Sequence, residues 1–175
     1  GGAINLTSGG KIYDAFSGND LSTGGGLLTI NAVGDVGGSG SGQSSALEIF
    51  DSILDMDIQQ NNKNVYFNVS NTDAYFNINN IDYDGGDGLV FDVRADSGAD
   101  IVVTGNILDS VGASTDSATI NIVTNSATSD ITINSGATIQ SGSNGGITLN
   151  SANDVYLAGL TSGTAGTVVT AANDI

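Results

Sequence analysis

The feature that most constrains the fold of this chain is a short motif that recurs at intervals of twenty to twenty-four residues. Each copy contains a short apolar segment, then five mostly turn-forming residues, then a new apolar residue. The apolar residues on either side of the turn are Leu6 and Ile12, Ile30 and Val36, Leu149 and Val155, and Val169 and Ile175. A motif repeated at a fixed period is the sequence signature of a solenoid, in which each coil buries its apolar side against its neighbours.

The rest of the chain consists of short segments in which apolar and polar residues alternate, as is typical of β-strands. Segments such as 47–49, 65–69 and 90–93 are bounded by Gly, Asn, Ser or Asp, which favour turns. A β-sandwich also has such strands, but a sandwich rarely repeats one motif at a fixed period. We therefore predict an all-β chain in which residues 1–175 form a single parallel β-helix (β-solenoid) segment with about 20–24 residues per coil.

The copies of the motif also predict which side chains stack inside the coils. Burying an aliphatic side chain contributes about 1.5–3 kcal/mol, so the apolar position of each copy should face the core. We expect one inner column of Ile4, Leu28, Ile147 and Val168, a second of Leu6, Ile30, Leu149 and Val169, and a third of Ile12, Val36, Val155 and Ile175.

The charge of the chain is one-sided. There are 19 acidic residues against three basic ones, which gives a net charge of −16. A negative field of this kind repels nucleic acid and anionic membranes, and no apolar run is long enough to span a membrane. We therefore expect no nucleic-acid partner and no membrane span. The absence of Cys and His excludes disulfides and the usual zinc sites.

The motif resembles a repeat found in a known class of bacterial proteins. Segments 4–12, 26–36 and 147–155 are similar to the repeats of filamentous-haemagglutinin-type exoproteins, which are large repetitive secreted adhesins. The resemblance covers about half of the chain, at its two ends, and the middle departs from it. It implies a right-handed parallel β-helix, an extracellular or bacterial cell-surface location, and a role in adhesion, biofilm or surface filaments.

One stretch has the composition of a metal-binding loop. Asp82, Asp84 and Asp87 are separated by glycines and a tyrosine, and three carboxylates at this spacing could wrap a calcium ion. The stretch matches neither an EF-hand nor the nonapeptide calcium repeat, and an Asp/Gly-rich turn bonded to its own backbone is the alternative. No cofactor is required by this interpretation, and calcium is the metal that this stretch could bind.

A second acidic group, Asp51, Asp55 and Asp57, lies near one predicted strand. Asp55 and Asp57, which should face outward, could be a carboxylate pair that cleaves polysaccharides, since β-helices host enzymes of that type, but an outward acidic stripe is the commoner explanation. No His is present to assist a carboxylate or to activate Ser and Thr. We therefore expect that the chain is not an enzyme and that it has no catalytic residues.

Aromatic residues concentrate in the middle of the chain: Tyr66, Phe67, Tyr75, Phe76 and Tyr83. Stacking in the core is the expected role of most of them, and an exposed tyrosine strip that contacts sugar or protein is the alternative.

These observations together predict an extracellular structural or adhesive rod, or a filament segment, of a bacterial surface or matrix protein. Its expected partners are other copies of itself or flanking β-helix coils, joined end to end, and a host or matrix glycan or protein. We expect the segment to belong to a longer or tandemly repeated chain. The alternatives are a calcium-stabilised surface-layer or biofilm-matrix module and a polysaccharide lyase or hydrolase built on a β-helix.

Overall fold

The computed structural model of the chain describes residues 1–14, 20–38, 46–50, 53–58, 63–69, 75–83, 88–96, 98–108 and 117–175. These residues form sixteen β-strands and no helix, and every pairing between named strands is parallel. Successive coils stack into a β-solenoid with about 26 residues per turn. The predicted all-β parallel solenoid is therefore confirmed, with a coil slightly longer than the expected 20–24 residues.

The coil length varies along the chain because the turns differ in length. Gly146 pairs with Gly166 in the next coil, whereas Ile101 pairs with Ile131. Short coils are not confined to the repeated motif, because Leu47 and Phe67, which are also 20 residues apart, pair in the middle of the chain.

The chain alternates between two sheets that enclose the core. The first sheet contains, in spatial order, β1 (Ile4–Ser8), β3 (Leu27–Ala32), β5 (Ile53–Ile58), β7 (Tyr75–Tyr83), β9 (Asp100–Leu108), β11 (Ile131–Ile133) and β14 (Val155–Tyr156), with β12 (Thr138–Gln140) beside the second half of β9 and β15 (Leu160–Thr161) beside β12.

The second sheet is a single uninterrupted path of seven strands among the described residues. It contains, in spatial order, β2 (Leu21–Ser22), β4 (Leu47–Phe50), β6 (Asn64–Val69), β8 (Leu89–Ala95), β10 (Ala118–Thr124), β13 (Gly146–Ser151) and β16 (Gly166–Ala171).

The core lies between the sheets and is built mainly from alternate residues of the strands. In β3, for example, Leu28 and Ile30 are fully buried, whereas Thr29 between them is partly exposed. This alternation has the period of two that a pleated strand imposes on its side chains. Aromatic rings fill the middle coils, and the rings of Phe67 and Phe91 meet edge to face with centroids 6.4 Å apart.

The prediction for the central aromatic residues is confirmed where their side chains are described. Phe67, Phe76 and Tyr83 are buried in the core, and Tyr66 is partly exposed. The side chain of Tyr75 lies outside the described residues.

The predicted inner columns are correct between adjacent coils. Ile4 pairs with Leu28, and Leu6 pairs with Ile30, in the first sheet. The remaining predicted neighbours that meet are Ile12 with Val36, and Leu149 with Val169.

The columns are wrong where they join the two ends of the chain. The first two copies of the motif form β1 and β3 of the first sheet, whereas the last two form β13 and β16 of the second. Ile147 and Leu149 therefore do not lie above Leu28 and Ile30, and Val155 pairs with Ile131. The motif specifies a strand followed by a turn into the other sheet. Because each coil makes such a turn on both sides, a copy of the motif can belong to either sheet.

The prediction that Val168 faces the core is also wrong. Val168 pairs with Thr148 and points outward with 55% of its surface exposed, while Val169 faces the core. Two adjacent valines cannot both face inward on a pleated strand. In the described residues, no helix is long and apolar enough to cross a membrane.

Candidate functional site

The outer face of the first sheet carries Asp55, Asp57 and Asp82, which belong to the two acidic groups predicted from the sequence. Asp82 lies in β7 and is partly exposed, but Asp84 and Asp87 fall outside the described residues. The calcium loop of Asp82, Asp84 and Asp87 therefore stays a prediction. In the part of the chain that the structure describes, no group of three Asp, Glu, His or Cys side chains is arranged to hold a metal ion.

The acidic stripe of β5 faces outward, as expected. Asp55 and Asp57 are partly exposed on the same face of β5, and Asp57 pairs with Asp82 of the next coil. Asn79 donates a hydrogen bond from Nδ2 to Oδ1 of Asp55 at 2.8 Å. A shallow concavity of about 310 Å³ runs over these carboxylates. Asp51, the third member of the predicted group, lies outside the described residues.

Next to this stripe, the first sheet contains an irregularity that widens from coil to coil. On one side of it, Leu54, Ile78, Val103 and Ile133 are in register, and on the other side Asp55, Asn80, Asn106 and Thr138 are in register. No residue separates these two sets in β5. Asn79 separates them in β7, Thr104 and Gly105 separate them in β9, and residues 134–137 separate β11 from β12.

This widening bulge depends on a glycine. A Cβ atom on Gly105 would lie 1.7 Å from the backbone oxygen of Asn79, so any larger residue would force the two coils apart. A bulge leaves a residue without its ladder partner and re-aims neighbouring side chains, which is why bulges are common beside functional sites.

The bulge opens an axial groove of about 580 Å³ on the outer face. The axial groove is defined by its lining residues, which are Ile53, Asn77, Asn79, Val102, Thr104, Thr132 and Asn134. One column of its lining follows the paired residues Ile53, Asn77, Val102 and Thr132. A second column consists of the side chains that begin the inserted segments, namely Asn79, Thr104 and Asn134. The groove therefore runs along the solenoid axis, across four coils.

The column continues beyond the groove to an exposed aromatic residue. Thr132 pairs with Tyr156 of β14, and Tyr156 has 52% of its surface exposed. The phenol of Tyr156 donates a hydrogen bond to Asp154 at 3.2 Å, which raises the pKa of Tyr156 above its usual value. The available sequence signal for Tyr156 is its place directly after Val155, because a residue next to an inward-facing one on a strand faces outward.

A second feature, which the sequence did not predict, lies at a corner of the coils. Four aspartates line up along this corner, and we call them the corner ladder: Asp100, Asp130, Asp154 and Asp174. The first three lie at or directly before the start of a first-sheet strand, and Asp174 lies directly before Ile175. Asp100 accepts a hydrogen bond from the backbone N–H of Asp130 at 2.8 Å, Asp130 from that of Asp154 at 3.2 Å, and Asp154 from that of Asp174 at 3.0 Å.

The corner ladder is reinforced by asparagine amides. Asn153 donates from Nδ2 to Asp130 at 2.6 Å, and Asn173 donates to Oδ1 of Asn153. Asp35 makes the equivalent bond to the backbone N–H of Asn64 at 3.0 Å. In every case a side-chain oxygen of one coil accepts from the following coil, so the side chains add axial hydrogen bonds to those of the sheets. An Asp directly before an apolar residue was the available sequence signal.

Among the described residues, Arg94 forms an ion pair with Asp92, and Lys11 forms one with Asp35. Arg94 donates from Nε to Asp92 at 3.1 Å, and this hydrogen bond raises the pKa of Arg94 although partial burial lowers it. Lys11 lies 2.8 Å from Asp35. Partial burial acts to raise the pKa of Asp35, but hydrogen bonds from Lys11 and from Asn64 N–H outweigh it, and the net pKa is lowered.

The terminal coils leave apolar side chains partly uncovered. Ile4 and Leu6 in β1, and Val169 in β16, pack on the core but are not fully buried. Ile175 has 73% of its surface exposed. Each terminal strand also has a neighbour on one side only among the described residues.

Comparison with protein-family models, with curated proteins and with solved structures gives no match to this chain. The resemblance to filamentous-haemagglutinin-type repeats therefore stays a prediction, and the fold and its surfaces are the basis for the functional argument.

Proposed function

We propose that this chain is a structural rod segment of an extracellular bacterial surface or matrix protein, and that its terminal coils pair with further parallel coils. The observation that carries the proposal is the corner ladder. Three successive side-chain links, each from carboxylate to backbone N–H, join four coils in the same direction as the sheet hydrogen bonds. Both sets of bonds therefore hold the molecule together along one axis.

The terminal coils support growth of the rod along that axis. A solenoid end presents unpaired N–H and C=O groups and half-covered core side chains, which pair readily with another strand. At the C-terminal end, Val169 is only partly buried against the core, Ile175 is exposed, and Asp174 is the last carboxylate of the corner ladder. A further coil, from the same chain or another copy, would cover Val169 and Ile175 and would donate a backbone N–H to Asp174.

The sides of the rod have the opposite character. Their exposed positions are rich in Asn, Thr, Ser and Asp, and the net charge of −16 makes lateral approach of two copies unfavourable. Axial attraction combined with lateral repulsion favours a single-file rod. The extracellular location and adhesive role follow from the resemblance of the motif. The calcium-stabilised module and the polysaccharide-cleaving enzyme remain alternatives.

The test is to measure assembly of the full chain by sedimentation velocity and electron microscopy across a range of concentrations. We expect concentration-dependent linear assemblies. Val169→Lys places a charge on the uncovered core face of β16 and should abolish them, whereas Thr170→Lys, on the neighbouring outward position, should not. Circular dichroism of both variants establishes that the coils remain folded.

A chain that stays monomeric at every concentration, with no linear particles, would contradict axial pairing between copies. Equal assembly by Val169→Lys and Thr170→Lys would show that any assembly uses the sides of the rod.

A further inference from the structure

We propose that the axial groove, extended by Tyr156, binds a neutral oligosaccharide whose chain lies parallel to the solenoid axis. This function goes beyond that of a structural rod and does not depend on it, because the groove lies on the outer face of the first sheet and uses no residue of the terminal edges.

The groove has the chemistry to recognise hydroxyl groups. Asn77, Asn79 and Asn134 contribute amides, which both donate and accept hydrogen bonds, and Thr104 and Thr132 contribute hydroxyls. Ile53 and Val102 supply an apolar floor between them. A sugar ring has the matching pattern, with hydroxyls around its edge and C–H groups on its faces.

Tyr156 supplies a flat surface at one end. It continues the column of Ile53, Asn77, Val102 and Thr132 by one coil and is half exposed. An aromatic ring of this kind combines an apolar face with a polar tip and gives contact area at low conformational cost. From β5 to β14 the site spans five strands, or about 19 Å at a spacing of about 4.8 Å. That length accommodates three or four sugar rings laid end to end.

The distribution of charge around the axial groove favours an uncharged ligand. Among the described residues, no side chain that lines the axial groove is charged, while Asp55 stands beside Asn79 at one end and Asp154 beside Tyr156 at the other. An anionic polysaccharide would meet repulsion at both ends, and the described groove residues offer it no compensating cation. A neutral glycan meets neither penalty.

Peptide recognition is the principal competitor, and the geometry disfavours it. An extended peptide gains most of its affinity by adding a strand to an open sheet edge. The groove lies on a sheet face, where β7 and β9 already have partners on both sides. A ligand there must be held by side chains alone, which suits a chain of hydroxylated rings.

The bulge is a second, independent indication that the groove is a built site. Inserted residues in three consecutive coils interrupt the ladder, and the regular second sheet shows that this solenoid does not require them. Their effect is to turn Asn79, Thr104 and Asn134 into a row along the groove.

The test is titration calorimetry of the full chain with cellotetraose, mannotetraose and chitotetraose as neutral probes. Tetragalacturonate serves as the anionic probe and an octapeptide rich in Ser and Thr as the peptide probe. We expect saturable binding of at least one neutral tetrasaccharide that is insensitive to salt. Tyr156→Ala and Asn77→Ala should each weaken it by about tenfold.

Two variants provide matched controls. Tyr13→Ala removes another exposed tyrosine, and Asn150→Ala removes an exposed amide from the outer face of the second sheet, and neither should change the affinity. The proposal is overturned if no neutral tetrasaccharide binds at millimolar concentration, if the anionic or peptide probe binds more tightly, or if the control variants lose as much affinity as the groove variants. Loss of axial assembly in the sedimentation experiment would leave all of these outcomes unchanged.

Discussion

The two sheets of this solenoid are built from the same kinds of residue but differ in regularity. In the second sheet, β8, β10 and β13 run in unbroken register over six to seven residues. In the first sheet, the register shifts between Leu54 and Asp55 and again between Ile78 and Asn80. The comparison teaches that one side of each coil can keep the stacking uniform while the other side accepts insertions and acquires a shaped surface.

The difference has a physical cause in where the extra residues can go. A residue inserted in one strand must either shift the register of that strand or bulge outward. A shift would turn the inner column outward, which costs the burial of every following apolar residue. The bulge preserves the inner columns on both sides of it, so Ile78 and Ile81 of β7 both remain buried.

The largest expected effect compares the two sheets directly. Phe91 in the second sheet and Phe76 in the first are both fully buried. Phe91→Ala should lower the free energy of unfolding by about 3–5 kcal/mol, because the regular sheet cannot close the cavity. Phe76→Ala should cost less, because the bulge three residues away lets β7 relax. Chemical denaturation of both variants measures this, and equal losses would contradict the claim that the bulged sheet is the more adjustable one.

A smaller effect is expected at the bulge itself. Gly105→Ala should lower the free energy of unfolding by about 1–3 kcal/mol, because the new Cβ would collide with the backbone oxygen of Asn79. Gly9→Ala is the control, since its Cβ would meet nothing within 4 Å. Thermal melting of the two variants gives the comparison. Unchanged stability in Gly105→Ala would mean that the coils can separate at the bulge without cost.

The smallest expected effect concerns the ion pair between Lys11 and Asp35. Because the pKa of Asp35 is lower in the folded than in the unfolded chain, its carboxylate adds stability above the unfolded-state pKa, and this contribution disappears as the pH falls through the folded-state pKa. Lys11→Met should therefore be slightly destabilising at neutral pH, by less than Gly105→Ala, and indistinguishable from the wild type in acid. Melting curves over a pH series test this, and a difference that persists in acid would assign the effect to packing.

Much of the fold could be predicted from local sequence, but the candidate site could not. Alternation in segments such as 65–69, together with Asp- and Gly-rich turns, identified strands and corners, since both are properties of a few neighbouring residues. The axial groove depends on how many residues lie between paired positions in four different coils. That number is visible only once Ile78, Val103 and Ile133 are known to be in register.

The sequence by itself determined that this chain is a stack of short parallel strands, because the repeated motif places an apolar residue on each side of every corner it forms. Only the tertiary structure decided which sheet each copy joins, that four aspartates align into a ladder, and that Asn79, Thr104 and Asn134 share one groove. The physical reason is that axial neighbours are separated by a whole coil, and the length of each turn sets which residues meet.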